Sequence, residues 1–250
     1  MIRQASTALF ASSLLLTSCS TTEREHTRIR ADAAFGGGKL KHSTNGSALD
    51  DSATAAYFAF GAEVIGRQNL GGGVRFQTVT SDDDLFLGGG AGTPAQAFDS
   101  ELFLHGTGVL GTEDNSFPIR FGLFFRNYTL EAQPTGNDIN WSSFGPRVEV
   151  APDITLATTN ALRWSLTSVL GFGAGVTTID TSPATQEWDT TMVQADLALG
   201  TRLQLESLRL DLGWMWRGSR YDESDVTAST TVLEADSTFS GFTFGLGATF

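Results

Sequence analysis

The stretch from Phe239 to Phe250 reads F-S-G-F-T-F-G-L-G-A-T-F, and it decides the fold. From Gly241 onward every second residue is apolar, and the residues between them are glycine or threonine. Because neighbouring side chains of a β-strand point to opposite faces, this pattern predicts a strand with one apolar face and one small, polar face. A large aromatic residue at Phe250 favours an apolar environment there, since chain ends in water usually fray.

The same alternation recurs in nine further stretches of the sequence, which predicts about ten strands in total. These stretches are 27–40, 54–67, 70–80, 100–111, 117–130, 145–157, 161–179, 190–205 and 208–221. The connections between them alternate in length. Short ones are expected at 67–69, 112–116, 158–160 and 206–207, and long ones at 41–53, 81–99, 131–144, 180–189 and 222–230. Short turns at one end and long loops at the other are typical of up-and-down transmembrane barrels.

With these features the sequence resembles bacterial outer-membrane β-barrel proteins of the porin-like kind, whose closing strand alternates and ends in phenylalanine. The resemblance implies an all-β fold: a closed antiparallel up-and-down barrel over 27–250, with eight strands as the alternative to ten. It places both chain ends on the periplasmic side and makes Phe250 part of the signal read by the barrel-assembly machinery. Outer-membrane lipids would contact the apolar face.

A soluble β-sandwich also alternates, and the bulk of the two faces decides against it. One face carries Trp164, Trp214, Trp216 and many phenylalanines, which is more than a small sandwich core needs. The other face carries arginine, glutamate or aspartate in nearly every strand. Tyr57 and Tyr128 fall near the long-loop ends of strands, as does Tyr221, and the sequence predicts that they are rim aromatics.

The N-terminal segment predicts export. Arg3 is followed by an apolar stretch, 8–16, that is too short to span a bilayer as a helix. Leu16-Thr17-Ser18-Cys19 then resembles the lipobox of bacterial lipoproteins. This implies a lipoprotein-type signal peptide at 1–18, lipidation of Cys19 and a periplasmic tether at 19–26. An ordinary signal peptide cut after Ser20 is the alternative.

The polar face of the predicted barrel is rich in charge. The residues expected to point inward are Arg28, Arg30, Asp32, Glu63, Arg75, Glu101, His105, Arg120, Arg126, Arg147, Glu149, Asp153, Arg163, Asp196, Arg202, Arg209, Asp211 and Arg217. Charges that leave water need partners, so we expect a network of ion pairs. Barrels of about eight strands are filled by side chains, whereas sixteen or more leave a channel. A ten-stranded barrel is therefore predicted to have a largely filled lumen.

No cofactor, metal ion or catalytic residue is predicted. The motif Gly106-x-Gly108-x-x-Gly111 lies in a strand with no helix after it, so it lacks the context of a dinucleotide site. The three histidines, at 26, 42 and 105, lack metal-ligand spacing. The formal net charge of −12 argues against nucleic acid as a partner. Acidic runs in the loops indicate loose contact with divalent cations, and they are Asp50-Asp51, Asp82-Asp83-Asp84 and Asp222-Glu223 with Asp225.

Three functions remain open from the sequence. The first is a non-enzymatic barrel with a structural or surface-interaction role. The second is a narrow passive pore for small solutes or ions. The third is an outer-membrane hydrolase that processes lipids or peptides, for which His42 near the long loops and His105 in the lumen would be the acid–base groups.

Overall fold

A computed structural model describes residues 27–44, 50–82, 85–87, 93–112, 115–132, 138–159, 161–182, 186–224 and 234–250. They form twelve β-segments: β1 (Arg28–Thr44), β2 (Asp50–Ile65), β3 (Leu70–Ser81), β4 (Leu85–Leu87), β5 (Thr93–Gly111), β6 (Asn115–Ala132), β7 (Asp138–Val150), β8 (Asp153–Thr158), β9 (Leu162–Ser182), β10 (Gln186–Leu205), β11 (Leu208–Tyr221) and β12 (Ala235–Thr249). Among these residues we find no helix that has the length and apolar character to cross a membrane. Cys19 and the rest of 1–26 lie outside the described residues, as do Asp83, Asp84 and Asp225.

The segments form one closed antiparallel barrel with ten strand positions. β3 and β4 both pair with β5 and share one position, and β7 and β8 both pair with β6 and β9 and share another. β1 pairs with β12 from Arg30↔Thr249 to Thr44↔Ala235, which closes the ring. The predicted fold class is confirmed, and the strand count is ten rather than eight.

The predicted division of side chains between the two faces is also observed. Outward apolar side chains are among the most exposed in the molecule: Phe242 and Phe250 are each 75% exposed and Val176 is 65% exposed. At the two-residue turn between β10 and β11, Leu205 pairs with Leu208, so both lie on the outer face. Glu206 in that turn has a φ of 50°. We call the outward apolar side chains of this kind, which include Leu205, Leu208 and Phe242, the apolar band.

The predicted long connections at 41–53, 131–144 and 180–189 are wrong over most of their length. β1 continues to Thr44 and β2 starts at Asp50, while β9 alone contains 21 residues. A bilayer-crossing strand needs only about 9–11 residues. The polar composition of these stretches predicts loops. However, a strand that extends beyond the apolar band has polar residues on its outer face and still remains a strand.

The outer face changes character part of the way along the strands. In β6 the outward apolar residues end at Phe125, and the next outward positions hold Asn127, Thr129 and Glu131. Asn127 and Thr129 form a closed ring of side-chain hydrogen bonds with Asn140 and Ser142 of β7, at 3.0–3.4 Å. We call the end of the barrel with the longer connections, such as 45–49, the loop end, and the end with the short turns, such as Glu206-Ser207, the turn end. The outward polar surface of the loop-end half is named the polar collar, and its side chains are those expected of a surface that faces water.

Candidate functional site

The lumen of the barrel is the candidate functional site, and its loop-end part is an apolar core. Tyr128, Trp141 and Tyr221 are each at most 2% exposed, and their ring centroids lie 5.4–6.2 Å apart. His42 stacks on Tyr128 at 5.7 Å, with its Nδ1 3.1 Å from the tyrosine hydroxyl. We call these four residues the aromatic layer. They pack with other buried apolar side chains, including Leu40, Leu130, Ile179, Trp188, Met192 and Phe239.

The prediction that the three tyrosines are rim aromatics is therefore wrong. Tyr57, Tyr128 and Tyr221 are buried inside the barrel, at 8%, 0% and 1% exposure. Each shares the inward face of its strand with a polar or charged neighbour, as Tyr128 does with Arg126. Strand parity gives this orientation from the sequence alone, whereas position near a loop does not distinguish the inner face from the outer one.

His42 lies beyond the apolar band, since its neighbours Lys41 and Ser43 belong to the loop-end part of β1. Its imidazole is 3% exposed, and burial lowers its pKa to about 4. Desolvation disfavours the charged form of the ring. His42 is therefore a neutral member of the aromatic layer.

Below the aromatic layer lies a dry layer of ion pairs. Arg147 and Arg217 both bind Glu101, at 3.0 and 2.6 Å, and all three side chains are at most 1% exposed. Arg126 binds Asp99 through two hydrogen bonds of 2.8 Å. Buried charges of this kind need close partners, because an unpaired one would carry a large desolvation cost.

Asp196 completes this layer, and Gly171 makes room for it. The Asp196 carboxylate lies 2.5 Å from Arg147 and 3.6 Å from Arg217. A Cβ at Gly171 would lie 2.9 Å from Arg147 and 3.0 Å from Asp196. Glycine at this inward position therefore lets the long side chains cross the lumen. The ion-pair layer thus consists of Asp99, Glu101, Arg126, Arg147, Asp196 and Arg217.

Glu149 links the ion-pair layer to the turn-end part of the lumen. Its carboxylate is fully buried and contacts Arg75, Arg120 (2.7 Å) and Arg147 (3.4 Å). Arg120 also reaches Glu63, with its Nε 2.9 Å from Oε1. Glu63 accepts a further hydrogen bond of 2.6 Å from Thr107, whose hydroxyl oxygen lies 3.0 Å from His105.

The turn-end part of the lumen contains a cavity of about 220 Å³, which we call the turn-end cavity. On its wall Arg202 binds Asp153 at 2.5 Å and Asp211 at 2.6 Å. Arg209 binds Asp211 at 3.1 Å and Asp32 at 3.3 Å. The charged side chains that line it are Arg30, Asp32, Glu63, Arg75, Arg120, Asp153, Arg202, Arg209 and Asp211.

A smaller space of about 40 Å³ shares lining residues such as Arg30 and Arg202 with the turn-end cavity and lies toward the short turns, and we call it the mouth. Arg28 and Arg163 line this mouth, together with Gln204 and Thr249, which lie beside the short turns. Arg163 binds Asp153 at 3.3 Å. The structure thus gathers the predicted inward charges in the ion-pair layer and around the turn-end cavity and its mouth, with Glu149 between them, while His105 lies beside Thr107.

Sequence reasoning missed two features of the site. Asp99 falls in the stretch 81–99, which the sequence predicts to be a loop, yet it lies in β5, faces inward with Glu101 and pairs with Arg126. The aromatic layer was missed for the same reason, because Trp141 also falls in an expected loop. If the predicted strands are extended with the same alternation of faces, Asp99 and Trp141 both fall on the inward face. Within the described ranges, no group of three His, Cys, Asp or Glu side chains is placed to hold a metal ion.

Comparison with known proteins supports the fold. No protein-family model and no curated protein matches the sequence. Among solved structures, the chain is similar to the outer membrane protease OmpT from Escherichia coli, with a TM-score of 0.55 at 10% identity over 94% of this chain and 100% of OmpT. It is also matched by the transport unit of the autotransporter AIDA-I from E. coli, with a TM-score of 0.42 at 10% identity over 94% and 96% of the chains. Neisserial surface protein A gives a TM-score of 0.36 at 11% identity over 90% and 97%.

These neighbours are outer-membrane β-barrel proteins of differing function. At 10% identity the similarity to OmpT shows the fold alone. The fold of this chain is thus that of an outer-membrane β-barrel with ten strands.

Proposed function

We propose that this protein is a closed barrel of the bacterial outer membrane that carries a rigid, surface-exposed platform and has a structural or surface-interaction role. The observation that carries the proposal is the reversal of the two faces along the strands. In the turn-end half the apolar side chains face outward and the charges inward. In the loop-end half the polar collar faces outward and the aromatic layer faces inward. The apolar outer face of the turn-end half is suited to contact with lipid, and the polar outer face of the loop-end half is suited to contact with water.

The dimensions support this division. A strand of about 20 residues spans roughly 65 Å, or roughly 45 Å along a barrel axis to which it is tilted by about 45°. The apolar band of an outer-membrane barrel is about 25 Å tall. Strands such as β9 and β10, with 21 and 20 residues, therefore extend well beyond the band at the loop end. A packed core inside that extension holds the ends of the described strands in fixed positions.

The filled lumen argues against free diffusion of solutes. The aromatic layer and the ion-pair layer lie one above the other, and Tyr128, Trp141, Arg147 and Arg217 are among the largest fully buried side chains.

A narrow passive pore is the second candidate, because the turn-end cavity leaves part of the lumen unfilled. OmpT is described as a protease, but we propose no hydrolase activity here, since 10% identity transfers only the fold.

Labelling of intact cells tests the proposed orientation. We expect Glu131→Cys, in the polar collar, to react with a membrane-impermeant maleimide, and Ser207→Cys, in the short turn between β10 and β11, to react only after the outer membrane is opened. The parent chain supplies the background, since Cys19 is its one cysteine. If only Ser207→Cys reacts on intact cells, the orientation of the barrel is the reverse of the proposed one. If neither variant reacts even after the outer membrane is opened, the placement of both residues outside the bilayer is contradicted.

We further propose that the mature chain begins at an acylated Cys19, which tethers the barrel at its turn end. Mass spectrometry of the mature N-terminus should give a diacyl- or triacyl-modified Cys19 in the natural sequence and none in Cys19→Ala. An unmodified N-terminus at Thr21 would instead establish ordinary signal cleavage after Ser20.

A further inference from the structure

The turn-end cavity holds a surplus of positive charge. Its charged lining consists of five arginines (Arg30, Arg75, Arg120, Arg202 and Arg209) and four carboxylates (Asp32, Glu63, Asp153 and Asp211). Arg28 and Arg163 line the adjoining mouth, together with Asp153. Glu149 lies behind the wall and pairs with Arg75 and Arg120. Among the described side chains that line the cavity itself, arginines thus outnumber carboxylates by five to four.

The surplus is concentrated at Arg30. Its nearest carboxylate is Glu63, at 3.9 Å, and that carboxylate already accepts hydrogen bonds from Arg120 and Thr107. Arg30 donates no hydrogen bond to any residue that the structure describes, although a guanidinium carries five N–H donors. Its side chain is 18% exposed, so the donors lie at the cavity and its mouth.

The neighbours of Arg30 show why a protein carboxylate does not fill this place. Arg202 and Arg209 line the same cavity and the same mouth, and they share Asp211, at 2.6 and 3.1 Å. Asp211 and Asp153 thus each bridge two guanidinium groups. Arginine forks are suited to paired hydrogen bonds with planar carboxylates and with phosphate. The arrangement is that of an anion site in which Arg30 supplies the unused donors.

We propose that the turn-end cavity binds a small oxyanion of the phosphate type, either inorganic or as the monoester of a small polyol, which enters through the arginine-lined mouth and is held by Arg30 with Arg202 and Arg209. The cavity volume of about 220 Å³ corresponds to about seven waters, which leaves room for such an anion and part of its hydration. Because the ion-pair layer and the aromatic layer close the other end, this is a dead-end binding site and not a step in a conduction path. The proposal goes beyond the structural role proposed above and does not depend on it.

Titration calorimetry of the full-length protein in detergent micelles tests the site, with inorganic phosphate and glycerol 3-phosphate as probes. We expect saturable binding of at least one probe. Arg30→Gln, which keeps most of the side-chain volume and loses the charge, should weaken it by about tenfold or more, since it removes the charged hydrogen-bond donors that hold the anion. Arg220→Gln is the matched control, because Arg220 is 55% exposed at the loop end and pairs with Glu234.

Asp211→Asn gives a test of opposite sign. It removes one carboxylate that Arg202 and Arg209 share, so binding should tighten by about threefold or more. This variant keeps the proposal falsifiable if Arg30→Gln does not fold. Absence of binding of both probes to the natural sequence, equal binding by Arg30→Gln and Arg220→Gln, or weaker binding by Asp211→Asn would each overturn it. The ratio of the two affinities shows whether the free anion or the monoester is preferred.

Discussion

Arg217 and Glu101 meet across the full width of the barrel, with Nη2 2.6 Å from Oε2. Arg217 lies on β11 and Glu101 on β5, which occupy the ninth and fourth of the ten strand positions and so stand opposite each other. Both side chains are at most 1% exposed. A direct contact between opposite walls means that side chains fill the lumen at this level.

The first prediction concerns the buried carboxylate Glu149. Glu149→Ala should lower the free energy of unfolding by about 3–5 kcal/mol, because it removes a fully buried carboxylate that pairs with Arg75, Arg120 and Arg147. Equilibrium unfolding in detergent or lipid is the measurement. Glu234→Ala removes the partner of Arg220 at the exposed loop end and should cost about 1 kcal/mol or less. Equal losses in the two variants would mean that water reaches Glu149.

The second prediction concerns the aromatic layer. Trp141→Ala should lower the free energy of unfolding by about 3–5 kcal/mol, since it opens a cavity among side chains that are almost completely buried. Trp164→Ala is the matched control, because Trp164 is 45% exposed on the apolar band and lipid can fill the space it leaves. A larger effect at Trp164 than at Trp141 would contradict a packed core in the loop-end half.

The third prediction concerns pH. The pKa of His42 is about 4 in the folded protein and about 6.5 when unfolded, so the unfolded chain binds more protons between these values. The stability that neutral His42 contributes is fully present above pH 6.5 and is lost as the pH falls through 4. The difference in unfolding free energy between the natural sequence and His42→Gln should therefore shrink from pH 7 to pH 4. A difference that is constant over this range would mean that His42 is not desolvated.

The fourth prediction separates two roles of Phe250. Its backbone N–H and C=O each form a hydrogen bond of 2.9 Å with Ile29, which extends the β1–β12 seam. Deletion of Phe250 removes this pair and the side chain, whereas Phe250→Ala removes the side chain alone. If the aromatic side chain is the assembly signal, both variants should lose folded, heat-modifiable barrel in the outer membrane to a similar degree. Full assembly of the deletion variant would contradict both roles.

Much of the fold could be predicted from the sequence because barrel strands obey a period of two. That period placed residues such as Phe60 and Leu246 outward and Arg120 and Glu149 inward, as observed. It could not give the partners, because Arg217 and Glu101 are separated by 116 residues and meet only when the ring closes. The change from the apolar band to the polar collar was also missed, since polar outward residues such as Asn140 and Ser142 resemble loop residues in composition.

Planar-bilayer recording of the purified natural protein tests most directly whether the lumen is closed. Insertion without a steady open level is expected, because the aromatic layer and the ion-pair layer both block the path. Trp141→Ala and Glu149→Ala should produce at most brief, small openings. A steady current on the nanosiemens scale from the natural sequence, unchanged by either substitution, would contradict the closed barrel and favour the pore.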